Sequence, residues 1–378
     1  VDRIWLSSPH IGEKEKEYVA EAFATNWVAP LGPNIDQFEQ QLAEYVAVNS
    51  VAVLNSGTAA LHLALQILGV AQDDVVLCQS FTFGASAFPI AYCKASPVFI
   101  DSEKDTWNMD PQLLEHAIID QFKKGKKPAA VIVVHLYGMP AKMDEIIEVT
   151  TRYGIPLVED AAEALGSSYK GKKCGSFGDV GILSFNGNKI ITTSGGGAIT
   201  SNNEAIIKQA RFLSTQAREQ APFYLHKELG YNYRLSNVLA GIGRGQMEVL
   251  SDRVKKRREN FEFYKKELTD IEGIFFLLEP EGFFSNRWLS TIILDNNKWG
   301  KGINEKIRLG LEKNNIESRP LWKPLHQQPV FSGRHYYGNG ISDALFEKGL
   351  CLPSGSNLTD ENLKNVVSKV KEILYAVS

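Results

Sequence analysis

Two residues in this chain are placed where chemistry would need them. A short apolar run, Ile155-Pro156-Leu157-Val158, leads straight into Glu159-Asp160-Ala161-Ala162-Glu163. A carboxylate at the end of a buried strand is costly unless it meets a cation or a hydrogen-bond donor. Taken alone, Asp160 reads equally well as a helix N-cap. A second run, Gly181-Ile182-Leu183-Ser184-Phe185, passes through Asn186-Gly187-Asn188 to Lys189, 29 residues beyond Asp160. Ile190 and Ile191 follow, then Thr192-Thr193 and the turn Ser194-Gly195-Gly196-Gly197. A lysine set among apolar neighbours and turns has a partly desolvated amine, which makes it a nucleophile. Alone, Lys189 also reads as a lysine snorkelling at a sheet rim.

Taken together, the amine and the acid meet the needs of pyridoxal phosphate. That cofactor requires a lysine to condense with its aldehyde and a carboxylate to keep its pyridine nitrogen protonated, so that the ring withdraws electrons. Its phosphate requires backbone donors and hydroxyls. The stretch Val53-Leu54-Asn55-Ser56-Gly57-Thr58-Ala59-Ala60-Leu61 reads as a strand, a glycine turn and a helix start. The free N–H groups of that terminus, with the Ser56 and Thr58 hydroxyls, make an anion seat. By itself this motif is weak, because helix capping explains it equally. Ser184, five residues before Lys189, adds a further hydroxyl from the lysine's own strand. Phe83, in Gln79-Ser80-Phe81-Thr82-Phe83-Gly84-Ala85-Ser86, offers a flat face to the pyridine ring; core packing accounts equally for Phe83 or Phe81.

The elements that must position these groups show in the hydrophobic pattern. Apolar runs at 51–54, 75–77, 98–100, 130–134, 155–158 and 182–185 read as buried strands, and segments such as 59–68 and 111–121 have helical spacing. Strands alternating with helices predict an α/β fold, its mostly parallel sheet covered on both faces by helices, with ligands gathered at the carboxyl ends of the strands. After about residue 245 the texture changes to a long charged amphipathic helix (246–268), a polar stretch near 279–286, a strand at 288–294, a helix at 304–314 and a final helix at 361–376. The expected organisation is a large domain over 1–248 and a smaller C-terminal α+β domain over 249–378.

Bulk properties exclude several function classes. The net charge is -3, and the basic cluster Lys255-Lys256-Arg257-Arg258 beside Arg253 is interleaved with Glu248, Asp252 and Glu259. That pattern reads as a solvated helix face with local pairing rather than a nucleic-acid footprint. Cys78, Cys93, Cys174 and Cys351 are scattered without metal or redox spacing, and the histidines form no HxH or HExxH pair, so no metal site is expected. The opening Val1-Asp2-Arg3-Ile4-Trp5 lacks the pattern of a secretory signal, and no apolar run spans a bilayer, so the expectation is a cytoplasmic protein without a membrane partner.

Several motifs carry a resemblance. Asn55-Ser56-Gly57-Thr58-Ala59-Ala60-Leu61, Ser80-Phe81-Thr82-Phe83, His135-Leu136-Tyr137-Gly138, Glu159-Asp160-Ala161-Ala162-Glu163, Ser184-Phe185 with Lys189, Gly230-Tyr231-Asn232-Tyr233-Arg234 and Arg319-Pro320-Leu321-Trp322 occur in one order along nearly the whole chain. The set resembles the sugar aminotransferases of the DegT type, within fold-type I of the pyridoxal-phosphate enzymes. The resemblance implies that Lys189 binds the cofactor covalently and that Asp160 partners the pyridine nitrogen. It implies that Gly57, Thr58 and Ser184 hold the phosphate and Phe83 stacks on the ring. Asn232 matches a phosphate ligand taken from the other subunit, which implies a homodimer with shared active sites. Glu163 stands where Gln or His is more usual, which leaves open whether it meets the cofactor hydroxyl or the sugar. The turn Ser194-Gly195-Gly196-Gly197 also departs from the more frequent Gly-Glu-Gly-Gly.

The departures look like one branch of the family. Asn186-Gly187-Asn188-Lys189, Thr192-Thr193-Ser194-Gly195-Gly196-Gly197, Ser214-Thr215-Gln216-Ala217-Arg218-Glu219, Asn286-Arg287-Trp288-Leu289-Ser290-Thr291 and Trp322-Lys323 with Leu325-His326 resemble the bacillosamine branch. Its enzymes aminate C4 of UDP-4-keto-6-deoxy-N-acetylglucosamine with L-glutamate as donor. Arg234, Arg319 and Lys323 are candidates for the nucleotide diphosphate, Trp322 for the base or sugar, Trp27 for the sugar wall and His326 for a substrate contact. Each also reads as a surface ion pair, a packed residue or a satisfied histidine, and Arg287 is undecided. Rival readings are aminotransferases for GDP-linked or dTDP-linked keto-sugars and a non-catalytic regulatory protein that binds the cofactor. A sugar dehydratase on this fold would carry histidine where Lys189 stands. A nicotinamide enzyme would need a GxGxxG turn that 55–60 lacks.

Overall fold

A computed structural model describes residues 2–376, so Val1 of the opening pentapeptide and the last two residues of the second domain lie outside it. The first strands are β1 (Ser50–Leu54), β2 (Val75–Gln79), β3 (Ser96–Ile100), β4 (Ala130–Val134) and β5 (Leu157–Asp160). A small hairpin, β6 (Ser168–Tyr169) and β7 (Lys172–Lys173), precedes β8 (Val180–Ser184) and β9 (Gly197–Ser201). The chain then adds β10 (Ile274–Phe276), β11 (Phe283–Phe284), β12 (Ser290–Leu294), β13 (Arg319–Pro320), β14 (Tyr336–Tyr337) and β15 (Gly349–Leu352).

Eight strands form the main sheet in the order β1-β9-β8-β5-β4-β2-β3-β14. β3, β2, β4, β5 and β8 run parallel, while β9 lies antiparallel between β8 and β1. The strand β9 was not anticipated, because its residues follow a glycine turn and carry one threonine and two serine or alanine side chains rather than a bulky apolar run. Separate apolar clusters cover the two faces of this sheet, as a parallel sheet requires. A smaller sheet, β10-β12-β15-β13, packs with the helices Ile303–Lys313 and Asp360–Tyr375 around its own core. Ile4 bridges to Ile316 and joins that core, while β14 returns from the C-terminal part of the chain to extend the main sheet beside β3. Among the described residues no helix is long and apolar enough to cross a membrane.

The long helix runs over Asn237–Leu268, nine residues ahead of the expected start. Gly241, Gly243 and Gly245 mask this beginning, since glycine disfavours a helix interior. Tertiary packing overrides that preference: a Cβ on Gly245 would stand 2.6 Å from the Glu15 backbone nitrogen, and one on Gly243 2.6 Å from the Phe38 ring. The expected domain boundary therefore falls inside an unbroken helix. On the same helix Arg257, expected on a solvated face, is buried at 1% exposure. It donates from Nη1 to the Trp288 carbonyl at 2.6 Å and from Nη2 to Ser7 Oγ at 2.9 Å.

Candidate active site

The parallel strands β4, β5 and β8 deliver their last residues to one cavity of about 320 Å³, a size that suits a small cofactor with part of a substrate. Ser56, Gly57, Thr58, Phe83, Asp160, Glu163, Ser184, Lys189 and Trp322 all line it. Asp160 and Ser184 are the final residues of the neighbouring strands β5 and β8, which is why 29 residues of sequence collapse into one site.

Asp160 is nearly enclosed. Its Oδ2 accepts the Ser86 hydroxyl at 2.7 Å, and its Oδ1 accepts the Ala162 N–H at 3.2 Å. Ser86 is in turn paired with Thr82 Oγ1 at 2.9 Å. Two held oxygens fix the carboxylate and leave it further lone pairs for a group in the cavity. Sequence reasoning missed Ser86, because nothing in a loop serine reveals that it will meet an acid 74 positions away.

The lysine is positioned through the peptide before it. The Asn188 carbonyl accepts from Ser7 Oγ at 2.6 Å and from Trp288 Nε1 at 2.7 Å, and Arg257 holds both of those donor residues in turn. The Lys189 ammonium lies 4.2 Å from the centroid of the Trp288 ring, a cation–π contact, and 3.8 Å from Glu163 Oε1. The motif 286–291 contains Trp288, but only the fold shows that its indole walls the cavity.

At the other end, Ser56 caps the helix Gly57–Ile67 by accepting the Ala59 N–H at 3.0 Å. A Cβ on Gly57 would stand 3.1 Å from Ser184 Cβ, and one on Gly197 would stand 2.4 Å from the Gly57 nitrogen. The glycines therefore keep an open, donor-lined pocket at a helix N-terminus, which is the arrangement a phosphate needs. The two phenylalanines differ in place: Phe81 is fully buried beside Tyr137, whereas Phe83 is 53% exposed and lines the cavity near Trp322. An acid, an amine, an anion seat and an exposed ring around one space fit pyridoxal phosphate.

Glu163 is the unusual member of the set. Its Oε2 accepts the Tyr137 N–H at 2.7 Å. Burial raises its carboxyl to about 7, against the opposing pull of the Lys189 charge and the Tyr137 N–H, while Asp160 pushes it further up.

The other candidates lie elsewhere in this protomer. Arg234 donates to Glu39 at 2.5 Å and to the Val53 carbonyl at 3.0 Å, sharing Glu39 with Arg211. With Trp27 it lines a separate surface depression. Arg319 is exposed and pairs with Glu317 at 2.9 Å, and Lys323 is exposed beside Trp322. His326 is satisfied by Ser80 Oγ at 2.7 Å and Asp343 at 3.0 Å, stacked on Tyr336. Arg287, undecided from sequence, is structural: it donates to the Leu277 carbonyl at 2.7 Å and lies 3.7 Å from the Phe261 centroid. Asn232 is exposed, and its carbonyl accepts the Asn55 amide at 3.3 Å. The His135, Glu159 and Cys174 donor atoms also cluster, but the His135 nitrogens are both engaged, with Glu159 and the Ala141 N–H.

Residues 9–371 match the model of a family described as the DegT/DnrJ/EryC1/StrS aminotransferase family. EpsN of Bacillus subtilis (strain 168) is 52% identical over 379 residues, covering 99% of this chain and 97% of that protein. The GDP-perosamine synthase of Caulobacter vibrioides is 34% identical over 378 residues, with 98% of each chain covered. Among solved structures, Spr1654 from Streptococcus pneumoniae in its PLP form superposes with a TM-score of 0.91 at 27% identity, covering 100% of both chains.

Proposed function

This chain belongs to the DegT/DnrJ/EryC1/StrS aminotransferase family, and on that premise we propose that it moves an amino group from L-glutamate to C4 of UDP-4-keto-6-deoxy-N-acetylglucosamine, giving UDP-4-amino-4,6-dideoxy-N-acetylglucosamine. It is a pyridoxal-phosphate-dependent sugar aminotransferase of fold-type I. The observation that carries the site assignment is the meeting of Lys189 and Asp160, from neighbouring strand ends, on one cavity with an anion seat.

When bound, pyridoxal phosphate supplies an electron-withdrawing ring that stabilises negative charge on the carbon beside an attached amine. Asp160 would hold a proton on the ring nitrogen, with Ser86 and the Ala162 N–H keeping that carboxylate in place. The N-terminus of helix Gly57–Ile67, Thr58 and Ser184 would hold the phosphate. Phe83 would lie against the ring. Lys189 would bind the cofactor covalently and, once released, take a proton from the substrate carbon and return one to its neighbour.

The reading includes a homodimer. Asn232 sits on the surface beside Asn55, next to the anion seat. Phe223, Tyr224 and Leu229 on the same loop are exposed, and such apolar surface is suited to burial by a second copy. The partner subunit's Asn232 would then reach this chain's phosphate end. For the sugar nucleotide, support comes from the run 186–197 and from Trp322 at the cavity wall.

A second reading, a GDP-linked 4-keto-sugar, is favoured by the near-full-length similarity to GDP-perosamine synthase. Turnover of UDP-, GDP- and dTDP-linked 4-keto-sugars with glutamate, with product mass and carbon assignment by NMR, separates the two. The expected result is a new amine at C4 of the UDP-linked compound. Conversion of the GDP-linked compound alone would replace the first reading with the second, and conversion of none would overturn both.

A further inference from the structure

Glu163 is a buried carboxyl that the steps above leave without a role. Its neighbours on every side can be named. Oε2 holds the Tyr137 N–H, and Oε1 faces the Lys189 ammonium at 3.8 Å. The Tyr137 phenol and the Cys351 thiol, both fully buried, are pushed far up and stay neutral. Among the described residues Trp322 Nε1 completes no hydrogen bond, although its proximity draws the carboxyl slightly down. Asp160, from the same strand end, repels a second negative charge. Of the groups acting on Glu163, Lys189 is the cation, so a negative charge on Glu163 depends on a positive one there.

We propose that Glu163 is the proton store of the site: Lys189 passes its ammonium proton to Glu163 Oε1 whenever the amine must act as nucleophile or base, and takes it back only when the amine is idle again. The inference rests on the transaminase reading and gives this departure from the family pattern a use. In the forward step one N–H bond of the ammonium breaks, its electron pair stays on nitrogen, and one O–H bond forms at Oε1. No electron enters or leaves. The net charge of the pair is zero before and after, so neither state strands a lone charge in the enclosed cavity. The contact must shorten by about 1 Å to reach hydrogen-bond length, a movement within reach of the flexible lysine stem. The raised carboxyl, at about 7, is already balanced between the two forms near neutral pH.

The test is an infrared pH titration of the full-length protein without added cofactor. The stretch of the protonated Glu163 carboxyl is assigned by difference against Glu163→Gln. In the parent protein the band should grow in as pH falls through about 7. In Lys189→Met, which keeps the bulk and removes the charge, the band should persist at least about one pH unit higher. Lys189→Arg, which restores the charge, should bring the midpoint back toward the parent, and circular dichroism confirms that the variants fold. Equal midpoints in the parent and Lys189→Met, or no Glu163 band in either, would overturn the proposal. Because no substrate is present, a pair that titrates as expected in a protein that transfers no amine would remove the transaminase reading instead.

Discussion

Glu159 and Glu163 stand four residues apart, each buried and each facing a basic side chain, yet their surroundings differ in one respect. Glu159 accepts from His135 Nε2 at 2.7 Å and from the backbone N–H groups of Gly175, Phe177 and Gly178. His135 completes the network by accepting the Ala141 N–H at 2.9 Å on Nδ1. Every strong partner is in place, and the pair locks the turn after β7 to the sheet. Glu163 has one backbone donor at hydrogen-bond distance, and its amine partner stands 3.8 Å away across a cavity. The same strand end thus carries one closed acid–base pair and one open one. The difference teaches that burial alone does not mark a reactive group; burial with incomplete pairing beside an open space does.

Mutations can sharpen this contrast or break it. The largest effect belongs to the open pair: Lys189→Ala should slow the glutamate half-reaction at least about 10³-fold, followed by the visible absorbance of the bound cofactor. Its urea midpoint should move little, and a large loss of stability would make Lys189 part of the scaffold. Glu159→Ala should do the reverse. Leaving His135 and three N–H groups buried without an acceptor should cost about 3–5 kcal/mol in urea denaturation. The half-reaction rate per folded molecule should hold within roughly twofold; a larger loss of rate would erase the distinction between the pairs.

Glu163→Gln probes the open pair through pH. Its carboxyl rises from an ordinary 4.5 to about 7, so the folded chain holds a proton that the unfolded chain releases between those values. The resulting stability is complete below about 4.5 and lost as pH rises through about 7, on the order of 3 kcal/mol in all. Glu163→Gln removes that loss, so its unfolding free energy should gain on the parent's between about pH 4.5 and about pH 7. A difference that stays flat with pH would mean that Glu163 does not titrate there. The smallest effect should come from Ser86→Ala, which removes one donor from Asp160. A roughly tenfold fall in kcat is expected, equal to the worth of one charge-assisted hydrogen bond.

The convergence of Asp160 and Lys189 could be expected from sequence because Asp160 ends one buried apolar run and Lys189 follows another by five residues, and burial of such groups needs an explanation that residue type and spacing already suggest. The anion seat was legible for the same reason, as a strand, glycine and hydroxyls at a helix start. Ser86, Trp288 and Arg257 were not, since each acts through a contact that only packing creates. Arg257 lies in a run that looks solvated, yet it turns inward because two acceptors, the Trp288 carbonyl and Ser7, wait on that face. Arg234 and His326 were expected at the substrate, but Glu39 and Asp343 with Ser80 hold them, partners too distant in sequence to be seen. The glycines of the long helix hid its first turns for the same physical reason: close approach of Glu15 and Phe38 outweighs local propensity.

Reductive trapping tests the central claim most directly. The protein loaded with pyridoxal phosphate is reduced with borohydride, digested and mapped by mass spectrometry. The expected result is the mass of the reduced cofactor on Lys189 alone, and its absence when glutamate is added before reduction. A label on another lysine, or an undiminished label in Lys189→Ala, would contradict the assignment of Lys189 and Asp160 as the amine and acid that share one cofactor.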